Sequence, residues 1–260
     1  NLSFPVTFNN IAATGTNNLD KTLNKVTYEP RLFMRYDLTS FWKFSTFAGI
    51  TNSFGSINDV YNGFILLSAK NLSSRNTDIQ HTRSNFVGSR LEYRNPLNNI
   101  FFNVSYNFND RTNNVTFLNE LDEASQQFII KGYNLENNSK TNSARTELGK
   151  YFPKFKTNAS VGYNYSLNNY QQLPANSTPT ESSFIDVEGV NQGVSVKFNN
   201  NYFSWLSVDY NANWNFNNTK SPDDARFNNK TNSFNHALSA YVYPFKNHTL
   251  GFPLAELHSR

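Results

Sequence analysis

The sequence contains no cysteine, which excludes disulfide frameworks, thiolate metal sites and cysteine nucleophiles. It holds only one methionine, and hydrophobic residues make up 38% of it, less than an ordinary soluble core draws on. Long apolar runs are missing as well. No segment approaches the roughly 18 residues that a membrane helix needs; this excludes a helical membrane protein but not a β-barrel, whose strands need only alternate. Charged residues reach 16% with a net charge of +4, and the basic excess is spread without a block. A nucleic-acid partner is therefore not expected, because such a protein concentrates its charge on one face. Asn1 opens no signal-peptide pattern.

Catalytic and cofactor signatures are absent too. There is no Gly-x-Ser-x-Gly, His-Glu-x-x-His, phosphate-binding loop or calcium loop, so neither an enzyme nor a metal or other cofactor is expected. Of the four histidines, His81 falls in an expected loop. His236, His248 and His258 lie near the last hairpin without carboxylates at a suggestive spacing. Asp223-Asp224 after Pro222 reads as an acidic pair in a loop. Triplets such as Asn103-Val104-Ser105 and Asn176-Ser177-Thr178 are expected by chance in a chain whose commonest polar residue is asparagine.

What is present is aromatic content, 16% with 24 Phe and 14 Tyr, arranged with period two. Low hydrophobicity alone suggests disorder, but the small net charge and this regularity argue against it. Ile100, Phe102, Val104, Tyr106 and Phe108 alternate with Asn103, Ser105, Asn107 and Asn109, Phe101 being the exception. Ala159, Val161, Tyr163, Tyr165 and Leu167 alternate with polar residues and Gly162. Leu206, Val208, Tyr210, Ala212, Trp214 and Phe216 alternate with serine, aspartate and asparagine. Period two means strands with one apolar and one hydrophilic face. Runs of about ten to twelve residues exceed an ordinary strand and match a tilted membrane-spanning one.

Tight turns are expected at Asp37–Ser40, Asn95–Asn98, Pro153–Lys156, Asn199–Asn201 and Pro244–Asn247, with aromatics such as Trp42, Tyr93, Phe152 and Trp205 beside them. Long polar loops are expected over 53–81, 110–142, 168–186 and 217–231. Short turns at one end, long loops at the other and an aromatic girdle describe an outer-membrane barrel. A soluble sandwich would show shorter strands and similar loops at both ends, and a solenoid would repeat its sequence. The fold expected is all-β, an antiparallel transmembrane β-barrel of which about ten to twelve strands lie here.

The apolar parity should face lipid, with Phe102, Tyr163 and Trp214 unburied and Val208 near mid-strand. The hydrophilic parity carries Glu29, Arg31, Arg35, Asp37, Arg90, Glu92, Arg94, Arg145 and Glu147. These are the candidate site: a charged belt on the lumen face, near the short turns, pairing across strands. The bland reading is that they keep the lumen wet; the sharper one is that they touch a plug or a solute.

Tyr61-Asn62-Gly63-Phe64-Ile65-Leu66, Arg83-Ser84 and Leu91-Glu92-Tyr93-Arg94-Asn95-Pro96-Leu97-Asn98-Asn99-Ile100-Phe101-Phe102 resemble the barrels of TonB-dependent outer-membrane receptors. The kind resembled carries an N-terminal carboxypeptidase-regulatory-like domain. Glu147-Leu148-Gly149-Lys150-Tyr151-Phe152 and Tyr243-Pro244-Phe245-Lys246-Asn247-His248 fit the same barrels. The resemblance implies the outer membrane of a Gram-negative bacterium, a barrel of about 22 strands, a plug inside it and energy from the TonB system. Its partners would be outer-membrane lipid, the plug domain of the same protein and TonB, and it admits a surface lipoprotein. The chain departs from that pattern: too few strands for the whole barrel, no plug or TonB box, and an end from Gly251 to Arg260 that does not read as a closing strand. The expectation is one stretch of barrel, over 1–260, from the C-terminal half. Its function would be import of an unidentified nutrient. The alternatives are a passive channel or structural surface barrel, and a soluble all-β carbohydrate-binding module.

Overall fold

In the computed structural model, which describes residues 1–15, 19–61, 63–68, 70–122, 126–174, 179–180, 183–245 and 248–259, seventeen strands follow one another. They are β1 (Leu2–Ser3), β2 (Val6–Gly15), β3 (Leu19–Tyr28), β4 (Arg31–Asp37), β5 (Trp42–Phe54), β6 (Ile65–Ser68), β7 (Asn71–Ser74), β8 (His81–Asn95) and β9 (Ile100–Asn113). After them come β10 (Thr116–Asp122), β11 (Gln127–Tyr133), β12 (Asn137–Phe152), β13 (Thr157–Gln172), β14 (Ile185–Phe203), β15 (Leu206–Lys220), β16 (Asn229–Val242) and β17 (Leu250–Ser259). Eleven of them form one sheet in the order β1-β4-β5-β8-β9-β12-β13-β14-β15-β16-β17. Every pairing in it is antiparallel, and β1 and β17 each have a single neighbour in the sheet.

Register keeps the two parities apart across the whole wall. Tyr36, Phe44, Leu91, Val104, Thr146, Tyr163, Val194, Trp214 and Phe234 stand in one row over nine strands. A slip of one residue anywhere would put these groups on the hydrophilic face, so the pattern specifies the register. The apolar parity is not packed against protein: Tyr163 is 41% exposed and Trp214 47%, and Phe102 is half-buried. Among the described residues the buried hydrophobics are Ala13, Val60, Ile79, Val115, Leu118, Leu173, Ile185 and Val187, all at the loop end. The wall itself encloses no core. A soluble sandwich would have buried this face.

Phe101, which breaks the alternation, has a structural reason. A Cβ on Gly149, its partner on β12, would lie 1.9 Å from the Phe101 ring, so the ring occupies the space a side chain would take. Phe47 and Phe86, also on the hydrophilic parity, lie over Gly88 and Gly49 in the same manner.

Three of the expected turns hold. Thr39 Oγ1 accepts from the Phe41 and Trp42 amides, and Asn95 Oδ1 accepts from the Leu97 and Asn98 amides. After Pro153, Lys156 adopts a left-handed φ of 46°. The fourth is displaced: Asn199–Asn201 lies inside β14, and the chain reverses at Ser204-Trp205, where Phe203 faces Leu206. A bulge between Asn200 and Phe203 absorbs the extra length. Asn200 is spent on its neighbour hairpin, where its Nδ2 donates to Phe155 O at 3.0 Å and to Thr157 Oγ1 at 2.6 Å. In the fifth, Lys246 and Asn247 lie outside the described residues, as do Asn62 and Asn176–Thr178.

Two further expectations are corrected. Leu250–Ser259 is a strand, with Pro253 opposite Ser239. It is an edge strand in this sheet, where alternate N–H groups point away from the one neighbour and proline is tolerated. The regions 53–81 and 110–142 are not plain loops. They hold a short helix α1 (Ile57–Val60) and β6, β7, β10 and β11, which join in a second sheet through the parallel pair β7–β11. Strands β13 and β15 likewise run on into the regions read as loops, so the wall extends past its apolar stretch.

Candidate functional site

On the hydrophilic face, Arg35, Ser45, Arg90, Ser105 and Arg145 stand in one row, and Asp37, Lys43, Glu92, Asn103 and Glu147 in the row two residues nearer the turns. An arginine followed two residues later by an acid thus recurs on β4, β8 and β12, every second strand. The pairs close along each strand rather than across strands: Arg90–Glu92 at 2.6 Å, Arg35–Asp37 at 3.9 Å and Arg145–Glu147 at 3.9 Å. Neighbouring strands supply Ser45, Ser105, Asn103 and one cation, Lys43, at the intervening positions. Arg35 stands two residues before Asp37, the end of its strand, Arg90 five before Asn95 and Arg145 seven before Phe152. The row therefore moves away from the turn end as it crosses the wall, as it must if strands are inclined.

Glu29 and Arg31 do not join that row. They pair with each other at 3.1 Å at the opposite end of β4 from its turn, and Glu29 also accepts from the Asn52 amide at 2.8 Å. Arg94 stands one step nearer the turns, opposite Phe101. It is exposed and lines a hollow of about 620 Å³ with Arg90, Glu92, Asn103, Tyr151 and Asn158.

Three outer segments knit together at the loop end. Gly132 of β11 passes so close to Arg75 and Thr77 that a Cβ there would lie 2.4 Å from the Thr77 side chain. Asp59 holds the 56–77 segment, accepting from Arg75 and, at 2.7 Å, from the Ser56 amide, while its carbonyl accepts from Thr77 Oγ1. Lys131 and Tyr133 donate to Glu120 at 2.5 and 2.8 Å across β10–β11. Burial opposes ionisation of Glu120, yet those two hydrogen bonds outweigh it and hold the carboxyl below its usual range. Burial, then the bond to Glu120, pushes the Tyr133 phenol up to about 12.

The β2–β3 hairpin joins the same assembly. Lys21 Nζ donates to Thr77 O at 2.7 Å and lies 3.6 Å from Asp78, while Lys25 Nζ lies 3.0 Å from His81 Nδ1. His81 Nε2 is 3.0 Å from Asn52 Oδ1. These contacts fix the neutral tautomer, with Nε2–H donating to Asn52 and Nδ1 accepting from Lys25. Burial first, then Lys25 and Arg83, hold the imidazole below its ordinary pKa. The sequence carried no signal for the Lys21–Thr77 and Lys25–His81 contacts, whose partners lie 56 residues apart. It also missed that Glu256 faces His236 across β16–β17 at 3.4 Å, a pairing that depends on the unexpected strand β17.

No protein-family model and no curated protein sequence matches the chain. Solved structures do. A point variant of the ferric enterobactin receptor of Pseudomonas aeruginosa superposes with a TM-score of 0.66 at 10% identity, over 99% of this chain and 39% of that one. A double variant of the same receptor gives 0.60 at 9% identity, with the same coverage. An outer-membrane channel from Pseudomonas putida F1 aligns with 98% of this chain and 84% of its own, at 14% identity and a TM-score of 0.41, too distant to carry an argument. The chain spans about two fifths of the receptor chains, and at such identities the likeness is one of fold. Among the described residues no group of His, Asp and Glu is placed to hold a metal. By fold, this chain is like a stretch of the wall of such an outer-membrane receptor β-barrel.

Proposed function

We propose that the chain is part of the wall of an active importer in the outer membrane of a Gram-negative bacterium, its apolar parity against lipid and its arginine row toward the lumen. The observation that carries this is the distribution of burial. Aromatic and aliphatic groups stay uncovered over the length of the wall, while the buried apolar residues gather at the loop end. Exposed apolar surface on that scale needs a non-aqueous neighbour. The wall does no bond-making chemistry. It supplies a sheet whose backbone groups satisfy one another in lipid, and further strands complete it at β1 and β17, because unpaired edges in hydrocarbon are costly. The short turns face the periplasm, and the knitted loops face outward and meet the nutrient first.

In this reading the lumen holds a plug energised through TonB, and the belt of Arg35, Asp37, Arg90, Glu92, Arg94, Arg145 and Glu147 meets it. Such contacts matter because a charge buried against the plug without a partner costs several kcal/mol. Liposome swelling with the full-length protein tests the reading. A plugged importer admits no small sugar, and replacing Arg90 and Arg94 by glutamine loosens the plug and lets sugar leak. Swelling by the unmodified protein would make the barrel a passive channel.

A further inference from the structure

Register runs unshifted through the point where the first hairpin leaves the wall. Ser3 stands opposite Arg31 and Val6 opposite Tyr28, so Pro5 faces Glu29 and Phe4 faces Pro30 in the same frame. One bond survives between these four residues, the Glu29 amide donating to Pro5 O at 3.0 Å. Pro5 removes the N–H that would answer Glu29 across this ladder, and Pro30 removes one on the β5 side, where its carbonyl still accepts from the Ile50 amide at 3.0 Å. Beyond that level β2 and β3 pair only with each other. A hairpin of two strands is marginal by itself.

What holds this hairpin is a small patch on the neighbouring loop. Ala13, with Ile11 and Leu23, covers Val60 and Ile79. Lys21 reaches Thr77 and Asp78, and Lys25 reaches His81. We propose that strands β2 and β3 form a flap that pivots at Pro5 and Pro30 and is latched by Lys21, Lys25 and this apolar patch, so that releasing the latch uncovers Val60 and Ile79. The proposal stands whatever the barrel carries. Acid favours release, because protonated His81 would no longer accept from Lys25. The groups around the ring are Lys25 from β3, Asn52 and Phe54 from β5, Arg83 from β8 and the Asn114 side chain at its amide, none of them an anion. Asp78 is engaged by Lys21.

Val60 is 1% exposed and the chain has no cysteine, so Val60→Cys reports the flap directly. The experiment is maleimide labelling of the full-length protein in detergent micelles, where both ends of the barrel meet the reagent, with any other cysteines replaced. Rates are normalised to Leu97→Cys, an open turn position 80% exposed, which removes the reagent's own pH dependence. Heat-modifiable migration checks that each variant is folded. The latched flap makes Val60→Cys slow; Lys21→Ala with Lys25→Ala raises the normalised rate by about fivefold or more, the factor that one surface contact corresponds to. Pro5→Val with Pro30→Val, which restores both N–H groups, lowers it. If Val60→Cys disturbs its loop, Ile79→Cys gives the same readout. Rates indifferent to both the lysine and the proline variants, or a Val60→Cys as fast as Leu97→Cys without them, would overturn the proposal.

Discussion

Phe101 over Gly149 shows how one residue pair can settle local register. The ring lies where a Cβ would stand, so Gly149→Val forces the ring or the strand to move and should cost about 1–3 kcal/mol in refolding from urea. Phe101→Ala alone leaves the site under-packed, but combined with Gly149→Val it should recover part of the loss, a non-additivity that independent sites do not show. His81 carries a pH effect of known sign. Its folded pKa lies below the ordinary imidazole value of about 6.5. The unfolded chain therefore takes up the proton first. Its contribution is full above that value and shrinks as pH falls toward the folded pKa. His81→Gln should flatten stability between neutral and mildly acidic pH in equilibrium unfolding; an unchanged profile would assign the acid sensitivity elsewhere. The recurring arginine-then-acid pairs were legible in the sequence as a hydrophilic parity. That they pair along strands was not, because Ser45, Ser105 and Asn103 enter the rows only through register.

At the scale of elements, depth decides what a charge costs. Val208, expected near mid-strand, is instead the third residue of β15, so an arginine there sits near the interface and should cost about 0–1 kcal/mol. Val196 lies seven residues in from Phe203, and Val196→Arg should cost about 2–4 kcal/mol in refolding into bilayers. Equal costs would contradict the depths assigned to the two positions. Long alternating strands such as β9, β13 and β15 could be read directly, since parity is a local property. Strands β6, β7, β10 and β11 could not, because they are short hairpins inside loops and join into one sheet through the β7–β11 pairing between two loops distant in sequence. Asn199–Asn201 misled for a related reason: asparagine favours turns, but here a bulge and the adjacent hairpin compete for it. Gly251 and Pro253 hid β17 because an edge position is invisible to propensity.

At the scale of the molecule, the described residues form an inclined layer, paired throughout its middle and covered by them on neither face, with a knitted cap of loops at one end. Its fold class was readable because a barrel wall writes one rule over and over. Its cap was not, since Lys21, Asp59, Thr77 and Gly132 meet only in three dimensions. The central claim is that the aromatic parity meets lipid. Nitroxide scanning of residues 206–217 in the full-length protein in bilayers tests it most directly, comparing relaxation by oxygen with relaxation by a water-soluble nickel complex. Oxygen access should peak at Tyr210, Ala212, Trp214 and Phe216, and fall at Asp209, Asn211, Asn213 and Asn215. Protection of the first set from both reagents, as in an enclosed protein core, would contradict the claim.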